Sequence, residues 1–145
     1  AIAFDVASPE QTDAVWKQIK ASASFWYGDM PTRLTTYPFV YESWELIDAF
    51  PPALAEWGDP TRDASAIGRI WFVDMTASLK QGDSDRVVEG VRKVCRRGRQ
   101  DGWTWYERYK SMPDGTAAPI GPAGYCEYAA ILVRMVLGNP DLFCD

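Results

Sequence analysis

Histidine is absent from the 145-residue chain, and this absence excludes more chemistry than any other feature of its composition. Serine–histidine–aspartate triads, cysteine–histidine pairs and histidine-ligated zinc sites all depend on an imidazole that titrates near neutral pH. Acid–base chemistry therefore falls to aspartate and glutamate, with tyrosine, lysine or arginine as assisting groups. We expect neither a metal site nor a cofactor.

Cysteines and long hydrophobic runs are scarce as well. The three cysteines show no Cys-x-x-Cys spacing, and their odd number predicts no closed disulfide framework. No stretch approaches the roughly 18 apolar residues of a membrane span. The chain begins Ala-Ile-Ala-Phe-Asp, without an initiator methionine or an apolar leader. We therefore expect no membrane partner, favour a cytoplasmic location, and interpret the chain as processed or cut from a longer one.

Acidic residues outnumber basic ones, 20 to 15, which gives a formal net charge of −5. Phosphate backbones would be repelled by this charge, so we expect no nucleic-acid partner. The five cations between residues 92 and 99 lie at the predicted end of a helix, where the helix dipole favours positive charge.

Apolar periodicity and capping residues predict a mainly helical protein. Helices are expected over residues 9–23, 42–50, 60–81, 84–98 and 125–138. Ser8-Pro9, Asp59-Pro60 and Asp83 or Ser84 supply the start signals, and Gly82, Gly98 and Gly138 the stops. The segment Trp103–Tyr109 favours a strand, and the turn at Pro113-Asp114-Gly115 predicts a short aromatic β-hairpin near residues 103–120.

Aromatic residues make up 14% of the chain, including seven tryptophans, and they concentrate in two long loops, residues 25–41 and 101–125. Loops of this length are uncommon in a compact domain unless they build a site. Because these rings lie outside the periodic helix faces, a shared cleft is the interpretation that explains them.

Three segments resemble motifs of the six-hairpin glycosidases, the (α/α)6-barrel family that includes trehalases, processing glucosidases and glucoamylases. They are Gly68-Arg69-Ile70-Trp71, the stretch Asp101–Tyr109 followed by Asp114-Gly115, and Gly124–Ala130. The resemblance implies a single helical domain over residues 1–145, made of antiparallel helical hairpins as in part of an (α/α)6 toroid. Because only about five helices are legible, the chain is either the C-terminal portion of a larger barrel, which we favour, or a domain of a different helical fold that shares the local pattern.

The same resemblance implies that Glu107 is the general base of an inverting glycoside hydrolase. Inversion needs a carboxylate opposite an acid, with room for one water between them. The family takes that acid from an earlier part of the barrel, and Asp63 and Asp74 are weak substitutes for it within this chain. Asp74 interrupts the apolar face of its helix, so it is either a cleft residue or a surface residue.

Several further residues are candidates for contact with a saccharide. In a strand, Trp105, Glu107 and Tyr109 would share one face, as a carboxylate flanked by stacking rings requires. Each candidate also has an interpretation without a ligand. Glu107 could be a solvated or salt-bridged carboxylate, and Trp71 could be a core residue. Glu127 could form an ion pair at the core edge, and Glu42 could be a charge in the first turn of a helix. The candidates are Tyr41, Glu42, Arg69, Trp71, Trp105, Tyr109 and Glu127.

Two functions compete with hydrolysis. The chain is alternatively a noncatalytic helical module that binds carbohydrate or another subunit through exposed aromatic side chains. A weaker third interpretation is polysaccharide lysis, with a tyrosine as the base. The expected ligand is a saccharide, and the helices need either the rest of a barrel or a second copy to be buried.

Overall fold

Helices hold most of the residues that the computed structural model describes, which are 1–22, 28–33, 65–112 and 114–143. This part of the chain has four α-helices and a three-stranded antiparallel sheet, with short 3-10 turns at Ile2–Phe4 and Pro140–Leu142. The mainly helical class and the hairpin are confirmed. The predicted helix over residues 42–50 lies outside the described residues, as do Asp63, Tyr41 and Glu42.

The first helix, α1, spans Pro9–Ala21 and begins with the predicted capping residues. The Ser8 hydroxyl accepts from the Gln11 backbone N–H, and the Gln11 side chain accepts from the Ser8 N–H, which completes a capping box. Although α1 is capped, none of its residues is buried. It therefore lies on the outside of the described part of the chain.

The second helix, α2, spans Gly68–Lys80, and a two-residue strand, β1, precedes it at Ala66–Ile67. The prediction of helix at these two positions is wrong, because their backbone pairs antiparallel with a distant strand. Ala66 faces Tyr109, and Ile67 faces Arg108. Local periodicity carries no information on a partner about 40 residues away.

The third helix, α3, spans Ser84–Gln100 and is capped by Asp83, whose side chain accepts from the Arg86 N–H at 3.3 Å. The predicted stop at Gly98 is wrong, since the helix continues to Gln100. A Cβ at Gly98 would lie 2.6 Å from a ring carbon of Trp105. The absence of a side chain at Gly98 allows the Trp105 ring to pack against the helix.

The predicted hairpin consists of β2, Tyr106–Ser111, and β3, Ala117–Ala123. The register is irregular at its open end: Tyr106 faces Ala123, whereas Arg108 faces Ile120. Helix α4 follows at Glu127–Gly138, two residues later than its predicted start.

The main core lies between α2, α3, α4 and the sheet. Trp71 of α2 stacks on Tyr128 of α4 with ring centroids 5.9 Å apart, and Tyr128 meets Tyr109 of β2 edge-on at 5.7 Å. All three rings are fully buried. A smaller cluster joins Ile2 and Ala3 to α2 near Ala77. Among the described helices, none has the length and apolar character needed to cross a bilayer.

Candidate functional site

Glu107 lies in β2, within the irregular part of the hairpin. Its carboxylate Oε1 is 3.6 Å from Nε of Arg108, and 18% of its side chain is exposed. The side chain lies over Gly121 of β3. Glu107 is therefore an oriented, partly shielded carboxylate that still reaches solvent.

Trp105 and Tyr109, the rings predicted to flank Glu107, do not offer an exposed face to a ligand. Tyr109 is fully buried, and Trp105 is only 6% exposed and donates its indole N–H to the Val94 carbonyl at 3.1 Å. The prediction that Trp105 and Tyr109 flank the Glu107 carboxylate as stacking rings for a sugar is corrected. Trp105 precedes β2, which begins at Tyr106, and the core between the helices and the sheet takes up both rings.

A hydrogen-bonded network, which we name the buried network, holds Tyr109 in place through Asp101 and Arg97. The Tyr109 hydroxyl donates to Asp101 Oδ2 at 2.8 Å and accepts from the Tyr106 N–H at 3.0 Å. Arg97 donates to both Asp101 oxygens at 2.8 Å and to the Ala117 carbonyl at 2.6 Å. It ties the end of α3 to both strands of the hairpin.

Burial raises the pKa of Tyr109 far above its usual value, and its hydrogen bond to Asp101 acts in the same direction. The phenol is thus held in its protonated form and has no exposed surface. Both facts make Tyr109 unsuitable as the base of a lyase.

Two other predicted residues, Arg69 and Glu127, are brought together where α2 and α4 begin. The Glu127 carboxylate accepts from the Arg69 backbone N–H at 3.1 Å and from Arg69 Nε at 3.0 Å. Arg69 Nη2 also donates to the Tyr125 hydroxyl at 3.4 Å. Of the two interpretations of Glu127, the ion pair at the core edge is the one observed.

Glu127 also caps α2 from another helix. The residue in the cap position of α2, Ile67, has no side-chain acceptor, so Glu127 satisfies one of the unpaired N–H groups at the helix start. Gly68 makes the approach possible, because a Cβ there would lie 2.7 Å from Glu127 Cβ.

The sheet brings this ion pair to the end of the hairpin that carries Glu107. Ile67, which precedes Gly68 and Arg69, faces Arg108, which follows Glu107. On the other side, the Tyr125 N–H donates to the Trp105 carbonyl at 3.0 Å. We name the four side chains on these adjoining segments the Glu107 edge: Arg69, Glu107, Tyr125 and Glu127.

Trp71 and Asp74 lie elsewhere. Trp71 is fully buried against Tyr128, so the core alternative describes it, and its predicted contact with saccharide is corrected. Asp74 is buried, and its two oxygens accept from Arg86 Nε and Nη2, each at 3.0 Å, while Oδ2 also accepts from the Thr32 hydroxyl at 2.6 Å. A general acid must donate a proton, and these acceptor roles argue against Asp74 in that task.

Asp74 and Arg86 nevertheless border a cavity of about 200 Å³ between α1 and α2. Trp16 lines it from α1, with the Arg86 guanidinium 5.9 Å from its ring centroid. The described residues around this cavity include none from the hairpin or α4, so it is separate from the Glu107 edge.

Among the described residues, no group of three acidic or cysteine side chains is close enough to hold a metal ion. Cys95 and Cys126 are free thiols, and burial raises the pKa of Cys95.

Sequence reasoning missed three residues that the structure brings to Glu107 or its neighbours: Arg108, Gly121 and Tyr125. Arg108 and Tyr125 adjoin predicted residues, which was the available signal, whereas Gly121 reaches Glu107 only through the register of the hairpin.

Comparison with protein families, with curated proteins and with solved structures finds no match to this chain.

Proposed function

We propose that the chain is a carbohydrate-active domain that hydrolyses a glycosidic bond with inversion, with Glu107 as the general base. We further propose that its helices are part of an (α/α)6 toroid completed by other polypeptide. The observation that carries the proposal is the Glu107 edge, where a partly exposed carboxylate lies on a strand next to the segments that carry the Arg69–Glu127 pair and the Tyr125 hydroxyl.

The chemistry of this edge suits a hydroxyl-rich ligand. The guanidinium of Arg69 is about half exposed and the carboxylate of Glu127 about one quarter, so both can exchange hydrogen bonds with sugar hydroxyls. The carboxylate of Glu107 would take a proton from a water as its oxygen attacks the anomeric carbon. The bond to the leaving oxygen breaks, and that oxygen receives a proton from the acid.

The acid is not assigned to a described residue. Asp74 accepts hydrogen bonds at both oxygens and borders a different cavity. This is consistent with an acid supplied by another part of the barrel, as the resemblance implies.

Product analysis tests the proposal. The full protein is incubated with a panel of α- and β-linked glucose disaccharides, and the anomeric protons of the first product are followed by NMR. We expect one linkage to be cleaved with inverted configuration, and Glu107→Gln to abolish the cleavage. Retained configuration, or products that absorb in the ultraviolet because of a new double bond, would contradict the proposal.

A noncatalytic subunit-interaction module is the second candidate, and exposed apolar surface favours it. Helix α1 has no buried residue, and Val133 and Leu137 on α4 are 56% and 74% exposed. Such surfaces fit a module that packs against a partner. If no disaccharide in the panel is cleaved or bound and sedimentation shows that the full protein associates with a second copy, the subunit-interaction module is favoured over the enzyme. If a disaccharide binds without being cleaved, a carbohydrate-binding module is favoured instead.

A further inference from the structure

We infer that Gly121 is the positioning residue of the Glu107 carboxylate, an inference that rests on the proposed role of Glu107. Gly121 lies on β3 and would not touch a substrate in this role. It acts by leaving the space in which the Glu107 side chain lies.

The backbone at Gly121 is one that glycine accepts and other residues resist. Its φ angle is +82°, in the region where a Cβ is strained. The space is closed as well, because a Cβ would lie 2.8 Å from Glu107 Oε2 and 3.1 Å from Glu107 Cβ. A side chain at this position would have to push the carboxylate aside.

The hairpin register explains why this glycine meets Glu107. Tyr106 faces Ala123 and Arg108 faces Ile120, so Glu107 stands opposite two residues, Gly121 and Pro122. A strand with one extra residue forms a β-bulge, in which glycine commonly takes the positive φ angle. The bulge lies in β3, and it presents the backbone of Gly121 to the Glu107 side chain on the facing strand.

Two other glycines allow the effect of backbone strain to be measured separately from the effect of the contact with Glu107. Gly115 and Gly124 also have positive φ angles, +85° and +75°, but a Cβ at either position would meet nothing within 4 Å. Gly124→Ala is therefore a matched control, because it introduces a similar backbone strain without touching Glu107.

A positioning role predicts a specific kinetic effect. Misplacement of a catalytic group by about 1 Å can cost roughly 100-fold in rate. We expect Gly121→Ala to lower kcat by about 100-fold while KM changes by less than about threefold, because substrate binding does not use Glu107 as its main contact. Gly124→Ala should keep kcat within about threefold of the wild type.

Stability provides a readout that does not depend on activity. Removing the Glu107 carboxylate should relieve the contact, so Gly121→Ala should lower the Tm about 3 °C less in a Glu107→Ala background than in the wild type. Gly124→Ala should lower the Tm equally in both backgrounds. If Gly121→Ala alone does not fold, we expect the double variant to recover folding.

The outcomes distinguish this inference from the proposed function. Equal Tm losses for Gly121→Ala in both backgrounds, or no recovery of folding in the double variant, would overturn the contact and with it the inference. A Tm coupling with unchanged kcat would overturn the positioning role. If the coupling is found and Glu107→Gln is itself fully active, the proposed function fails, and the positioning role falls with it.

Discussion

Two clusters of ionisable groups contact the hairpin, and they contain similar residues but differ in how far they are exposed to solvent. In the buried network, Arg97 and Asp101 form an ion pair that closes on a tyrosine with no exposed surface. At the Glu107 edge, Arg108 lies 3.6 Å from a carboxylate that still reaches solvent, and Arg69 and Glu127 pair nearby.

The difference lies in burial and in the number of hydrogen bonds already made. The Asp101 carboxylate accepts from Arg97 at both oxygens and from Tyr109, so it has little capacity left for a ligand. Buried polar networks of this kind specify one packing of the core. The Glu107 edge retains exposed polar atoms, and this is what a site for a polar ligand requires.

The largest effect is expected on the buried side, for Trp71→Ala. Trp71 is fully buried and stacks on Tyr128, so truncation should cost about 3–5 kcal/mol of unfolding free energy. Denaturant unfolding measures this loss. Trp103→Ala is the control, since Trp103 is 53% exposed and should cost less than half as much. Equal losses would show that Trp71 is not the core residue described above.

A smaller effect is expected for Tyr109→Phe, which keeps the ring and removes the hydroxyl. The Tyr106 N–H loses its acceptor and Asp101 loses a donor, at a cost of about 1–3 kcal/mol. Turnover per folded molecule should stay close to that of the wild type, because Tyr109 does not reach a ligand. If Tyr109→Phe is as stable as the wild type, the buried network does not stabilise the fold, and it does not differ in this respect from the Glu107 edge.

Much of the fold could be predicted from the local sequence, and the exceptions depend on contacts with other elements of the fold. The caps at Ser8 and Asp83 and the hairpin turn were predictable, because each depends on residues a few positions apart. Strand β1 was not, since Ile67 pairs with Arg108, and neither was the packing role of Gly98, which lies against the Trp105 ring.

The candidate site divides in the same way. Glu107, Arg69 and Glu127 were identified from their residue types and the motifs around them, and the described structure brings them to one end of the sheet. The roles of Trp71, Trp105 and Tyr109 were misjudged, because burial depends on which helices cover a ring. Tyr41 and Glu42 stay predictions, since both lie outside the described residues.

The smallest expected effect is on the free energy of unfolding, and it is seen only at alkaline pH, where the buried tyrosines Tyr109 and Tyr128 matter. Burial raises the pKa of Tyr109 and of Tyr128, whereas in the unfolded chain both phenols lose their protons near pH 10. Above pH 10 the folded state therefore binds more protons than the unfolded state, and the free energy of unfolding should fall as pH rises. It should be unaffected by these groups below that pH.

Ultraviolet titration of phenolate absorbance checks this expectation alongside denaturant unfolding at each pH. The phenols of Tyr109 and Tyr128 should ionise only together with unfolding. Their ionisation in the native protein near pH 10 would show that these rings are not buried as described.

Glu107→Gln tests the assignment of Glu107 as the base most directly, with turnover and Tm measured in the same preparation of the full protein and with the disaccharide that it cleaves. Glu89→Gln on α3 is the matched control, because it removes the same charge from a residue away from the Glu107 edge. We predict at least a roughly 100-fold loss of turnover for Glu107→Gln, with a Tm within about 2 °C of the wild type and no such loss for Glu89→Gln. Unchanged turnover, or a loss no larger than the fraction unfolded, would contradict the assignment of Glu107 as the base.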